Sequence, residues 1–195
     1  MKREISESDT SLTGTIIRKI EISADPARVF EAFTTKKDLA KWLSEYYEIT
    51  PVAGGKWKMG REEDGWVSKG RFLEVNPNEK LVYTWQVNGF EGKPPVEKPN
   101  WSNENPSKVT LTLAKSEKGT VITIVHEGFP ERSEDYYSHE VGWELQAGEV
   151  LKYYLEHSEN EFDKWWSGQK DGWDTRWQKM VEEHKTEDIS QYNSR

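Results

Sequence analysis

Between Glu45 and Glu127 the chain is a succession of short β-rich runs, each closed by Gly, Pro or Asn, and one long helical stripe follows. The runs are EYYEIT, GGKWKMG, GWVSKGRFLEV, KLVYTWQV, SKVTLTLA and GTVITIVHE. Short runs joined by turn residues pair most simply with their sequence neighbours, which predicts an antiparallel meander. Leu81, Tyr83, Trp85 and Val87 recur at every second position, as do Val109, Leu111 and Leu113, so each set shares one face. From about His139 to Trp166 the period changes. Trp143, Ala147, Val150, Leu151, Tyr154, Phe162 and Trp165 recur three and four apart, the stripe of one amphipathic helix. A sheet with one apolar face and a helix with one apolar stripe bury both by packing on each other.

The flanks complete the order. Residues 1–14 read as a flexible polar tail, and TIIRKIEIS reads as a strand with Ile16, Ile20 and Ile22 on one face. Asp25 is a candidate N-cap with Pro26 at the first helical position, leading into Val29, Phe30 and Phe33. Thr34-Thr35 ends that short helix, and Leu39, Trp42 and Leu43 mark a second. Residues 88–106 are dense in Pro, Asn and Gly and long for a hairpin, either a disordered insertion or a functional lid. Gly168 to Gly172 interrupt the long helix, and Trp173, Trp177, Met180 and Val181 resume the stripe on a last short helix with a frayed end. The predicted organisation is a tail over 1–14, a domain over 15–167 and a Trp-rich extension over 168–195.

Leu, Ile, Val and Phe make up about a fifth of the chain, a low share for a folded core. Ten Trp and eight Tyr offset it, since each buried aromatic removes roughly 150–250 Å² from water. The net charge of −8, with no basic run, disfavours nucleic acid as a partner. Without cysteine there is no disulfide, thiolate nucleophile or Cys-type zinc site, and His126, His139, His157 and His184 lack metal-ligand spacing. Neither a nucleophile elbow nor a phosphate-cradling loop occurs, so no catalytic residue, metal or cofactor is expected. The N-terminus has no apolar leader and no run spans a bilayer, which predicts a cytoplasmic protein without membrane contact.

Eight local phrases then appear in order: Ile22-Ser23-Ala24-Asp25-Pro26, Phe30 through Phe33-Thr34, Trp42, Gly54-Gly55-Lys56-Trp57, the strand from Pro77 through Leu81-Val82-Tyr83-Thr84-Trp85, Gly119-Thr120, His126-Glu127-Gly128-Phe129 and Gly142-Trp143. With them the sequence resembles the branch of the SRPBCC superfamily, the START and birch-pollen-allergen group, named after the activator of the heat-shock protein 90 ATPase. The resemblance covers roughly residues 15–166. It implies an α+β helix-grip fold: a curved antiparallel sheet of about seven strands, two short helices, and a long C-terminal helix packed across the sheet. The 88–106 segment is longer than the family's usual hairpin, and the extension after residue 167 lies outside its pattern.

A sheet gripping a helix leaves a cleft, and such apolar concavities are the default place for a small molecule. The candidates to line it are Trp57, Trp66, Phe72, Tyr83, Trp85, Trp143, Ala147 and Leu151, with Glu127, His126 or Arg71 to orient a ligand. The same aromatics also read as core filling. His126 and Glu127 are adjacent on a strand and point to opposite faces, so at most one meets the cleft. His139 and Glu140 read as the start of the long helix, with Glu140 at its positive end. The reading adopted is non-enzymatic binding of a small hydrophobic or aromatic molecule; the resemblance implies two alternatives, a co-chaperone of the activator type and, from the wider superfamily, a polyketide cyclase or aromatase. The Trp173, Trp177 and Met180 stripe either folds back on its own domain or contacts a second copy or a chaperone.

Overall fold

The alternating runs form a single seven-stranded antiparallel sheet in the order β1-β7-β6-β5-β4-β3-β2. The structure is a computed structural model and describes residues 13–44, 46–61, 66–89, 106–130 and 132–193. Most of the expected tail and of the 88–106 segment lies outside them. The strands are β1 (Thr13–Ile22), β2 (Tyr46–Ile49), β3 (Lys56–Arg61), β4 (Trp66–Asn76), β5 (Lys80–Gly89), β6 (Ser107–Lys115) and β7 (Thr120–Pro130). From β2 to β7 each strand pairs with the next, and β1 closes against β7. The period-two pattern puts Val109, Leu111 and Leu113 of β6 and Ile122, Ile124 and His126 of β7 on the buried face.

Two short helices, α1 (Pro26–Thr34) and α2 (Lys36–Trp42), connect β1 to β2. Asp25 occupies the N-cap position of α1 without a side-chain bond, whereas Thr35 caps α2 by accepting from the Asp38 amide. The Trp42 indole donates to the Ala32 carbonyl at 2.9 Å and meets the Phe33 ring edge-on at 5.0 Å, so the two helices lock together. Arg28 Nη2 and the Tyr154 hydroxyl both donate to Asp38 Oδ1, at 2.7 and 2.5 Å, tying this corner to the C-terminal helices. Burial pushes the Asp38 carboxyl up, but the bonds from Arg28, Thr35 and Tyr154 outweigh it and hold the group below its ordinary range.

The single long helix expected over His139–Trp166 is divided. Helix α3 (Glu134–Gly142) starts five residues earlier than expected because Ser133 caps it, accepting from the Tyr136 amide. His139 and Glu140 therefore lie inside α3 and cap nothing. A π-helical segment, Trp143–Leu151, continues into α4 (Lys152–Glu156). Trp143, Leu145, Ala147, Val150 and Leu151 are all buried on this segment. At His157 the backbone becomes extended, and a capping box between Ser158 and Glu161 restarts the chain as α5 (Glu159–Gln169). After one 3₁₀ turn, α6 runs from Trp173 to Asn193, a 21-residue helix where a short one with a frayed end was expected. Trp173 is buried, and Trp177, Met180 and Val181 are partly buried against the core, so the stripe folds back on its own domain. Among the described residues no helix is long and apolar enough to cross a membrane.

Gly70 of β4 sits where Trp57 reaches across to β5. The Trp57 indole donates to the Thr84 carbonyl at 3.1 Å, and a Cβ on Gly70 would lie 2.6 Å from that indole nitrogen and collide with the same carbonyl. Gly70→Ala is therefore expected to destabilise the fold by about 2–3 kcal/mol, as overpacking does. Urea unfolding checks this, and an unchanged midpoint contradicts it.

Candidate functional site

One row of the buried face runs through paired residues on five strands: Ile16 of β1, His126 of β7, Val109 of β6, Tyr83 of β5 and Phe72 of β4. His126 is fully buried in this apolar row. Its two ring nitrogens are spoken for. Trp143 Nε1, from the start of the π-helical segment, lies 3.1 Å from Nδ1, and Ser107 Oγ lies 2.8 Å from Nε2. An indole nitrogen only donates, so Nδ1 accepts and the ring proton sits on Nε2. Nε2–H then donates to Ser107 Oγ, whose own proton goes to the Trp85 carbonyl at 3.0 Å. A directed chain of three hydrogen bonds thus links the helix to β7, β6 and β5.

That chain requires a neutral imidazole. Burial holds the His126 pKa well below 6.5, and the neighbouring His139 lowers it further. His139 stands edge-on to His126 at 5.1 Å, with its Nδ1 donating to the Asp135 carbonyl at 2.7 Å.

The aromatic candidates cluster around this hub. Trp57 lies 4.8 Å from Trp85 and 5.8 Å from Tyr83, Phe72 lies 5.7 Å from Tyr83, and Trp143 meets Trp85 at 5.9 Å, all between ring centroids. Ala147 and Leu151 are fully buried on the π-helical segment. These rings touch one another in the space between sheet and helix where the cleft was expected. Trp66 begins β4, and its side chain lies outside the described residues. Glu127 is corrected: it occupies the opposite face of β7, about half exposed and 3.1 Å from Lys108, because the alternation that turns His126 inward turns it outward. Arg71 is also exposed, its Nη1 3.4 Å from the Gly54 carbonyl.

One polar atom in the cluster is left over. Among the described residues Trp85 Nε1 is buried and has no hydrogen-bond partner, whereas the indoles of Trp42, Trp57 and Trp143 each have one. A buried donor without a partner costs about 1–3 kcal/mol, so it marks a place where an acceptor is wanted. Beside the cluster an open groove of about 390 Å³ separates β1 from the π-helical segment and includes Trp143, Gly148, Arg18 and Lys152 in its lining.

Residues 23–156 match the family described as Activator of Hsp90 ATPase homolog 1-like protein. The chain belongs to that family. A Chromobacterium violaceum protein of known structure is 29% identical, with a TM-score of 0.58, 74% of this chain and 99% of that chain covered. A Mesorhizobium loti protein is 26% identical, with a TM-score of 0.56, covering 67% of this chain and 88% of that one. The Aha1 dimer of Colwellia psychrerythraea shares the fold at 22% identity, with a TM-score of 0.60 and coverage of 75% and 98%. No curated protein matches. The Activator of Hsp90 ATPase homolog 1-like region ends at Glu156, so α5 and α6 lie beyond the part that defines the family.

The sequence placed Ile122, Ile124 and His126 at one parity, which was the readable signal for an inward imidazole. Its consequence for stability has a definite sign. Below about 6.5 the unfolded chain takes up a proton that folded His126 refuses, so this contribution is complete above that pH and is lost as pH falls. The loss approaches about 1.4 kcal/mol per pH unit for one proton. His126→Gln is expected to flatten the difference in unfolding free energy between pH 7.5 and 5 by that component. Parallel pH profiles for the two proteins contradict the neutral buried imidazole.

Proposed function

We propose that this chain holds a small hydrophobic or aromatic molecule between the sheet and the π-helical segment, without transforming it. The observation that carries this reading is the partnerless indole N–H of Trp85 inside an otherwise apolar aromatic wall. Trp57, Phe72, Tyr83, Trp85 and Trp143 offer ring area on the sheet and helix sides, and Ala147 and Leu151 complete the helix side. Apolar burial supplies most of the affinity, and the Trp85 N–H fixes orientation by donating to a neutral acceptor on the ligand. The rings are in contact here, so the ligand enters as the helical side moves off the sheet; π-helical turns recur at such functional positions. His126 supports binding over proton transfer, because both of its nitrogens are committed to holding the helix.

Prodan, a neutral naphthalene ketone whose emission reports polarity, tests the reading in a fluorescence titration. Saturable binding with blue-shifted emission is expected. Trp85→Phe keeps an aromatic face, though a smaller one, and removes the donor; it is expected to weaken binding at least about fivefold, the worth of one hydrogen bond. Trp143→Ala is expected to weaken it further. Unchanged affinity in both folded variants, or no saturable binding by the parent chain, overturns the proposal.

A further inference from the structure

Helix α6 lies outside the family region, yet it docks on the one stretch of helix that carries Trp143. Trp177 packs its ring against Gly142, the residue before Trp143; a Cβ there would lie 2.9 Å from Trp177 Cη2. Arg176 forks onto Glu149 at 2.8 and 2.5 Å, past the other end of the first π turn. His184 Nδ1 lies 3.1 Å from Glu140, and its Nε2 lies 3.6 Å from Glu144, while Arg18 of β1 reaches the same Glu140 at 3.1 Å. Nearer its end, α6 accepts the Tyr137 hydroxyl on Asp188 at 2.7 Å. Buried Trp173 anchors the start of α6 against Trp166 at 4.9 Å.

We propose that α6 is a brace that positions Trp143, with Trp177 and Arg176 as the positioning residues. Its contacts fall on Glu140, Gly142, Glu144 and Glu149, which bracket Trp143 on both sides. The Arg176–Glu149 ion pair is part-exposed and weak by itself, and His184–Glu140 is a more enclosed hydrogen-bonded contact, so the holding force is the apolar burial of Trp173 and the Trp177 contact, and these polar contacts fix the register. The matched family region ends before this element begins, so the brace is added to the family fold at the point where helix position sets the Trp143–His126 bond. Gly142 is the sequence feature that permits it: any side chain would push the Trp177 ring away. This inference concerns the same site as the binding proposal but needs no ligand.

Amide and indole NMR of the full chain tests it, reading the Trp143 indole N–H, which donates to His126, against the Trp42 indole N–H, which donates to Ala32 in a remote corner. In Trp177→Ala the Trp143 indole is expected to exchange with solvent about tenfold faster and to shift, with Trp42 unchanged, because only the local opening equilibrium moves. Trp177→Phe is expected to restore most of the protection. Arg176→Gln, at a half-exposed position, is expected to give the same pattern more weakly and serves if Trp177→Ala does not fold. Equal changes at Trp42 and Trp143, or none at Trp143, overturn the brace. Neither result bears on prodan binding, so the two proposals fail separately.

Discussion

The joint between sheet and helix depends on one neutral imidazole. His126 is fully buried on β7, one strand in from the edge of the sheet, so each of its nitrogens needs a partner. Trp143 from above and Ser107 from the next strand meet that need, and Ser107 passes the bond on to the Trp85 carbonyl. Apolar contact is non-directional and would let the helix slide over the sheet. A donor-acceptor chain with only one consistent proton assignment fixes where Trp143 stands, and the aromatic packing around it follows.

That arrangement explains the asymmetry of the aromatic cluster. The polar atoms of the hub are mutually satisfied, so the indole nitrogen of Trp85 stands out as an unmet donor a few ångströms away. The chain also adds external support where the hub holds the helix. Helix α6 covers the outer side of Gly142 and pairs with acidic residues on either side of Trp143, while Arg18 draws the same acidic row toward β1. Internal bond and external brace act on the same residue from opposite directions.

Much of this was legible in the sequence because period-two alternation leaves little freedom. The seven strands, the order of β2 to β7, and the two short helices follow from turn residues and from which parity carries Ile, Leu and aromatic side chains. The helical end was less legible. A stripe at three and four residues continues on the page through His157, but Ser158 and Glu161 form a capping box that breaks it, a signal present in the sequence and outweighed by the apolar period. The π-helical turns of Trp143–Leu151 were not legible either, since a stripe at three and four residues is what an α-helix shows. Within the site, Trp57, Phe72, Tyr83, Trp85 and Trp143 come together, whereas Glu127 does not, because adjacency in a strand separates it from His126. The Ser107 link joins residues far apart in sequence, which periodicity does not reveal.

The central claim is the protonation state of His126, and long-range ¹H–¹⁵N correlation of its ring at pH 7 measures it directly. The account predicts a neutral ring with the proton on Nε2 and an unprotonated Nδ1 accepting from the Trp143 indole. A ring protonated on Nδ1, or a charged imidazolium, would contradict it, because Trp143 would then face a donor and the link between helix and sheet would not exist.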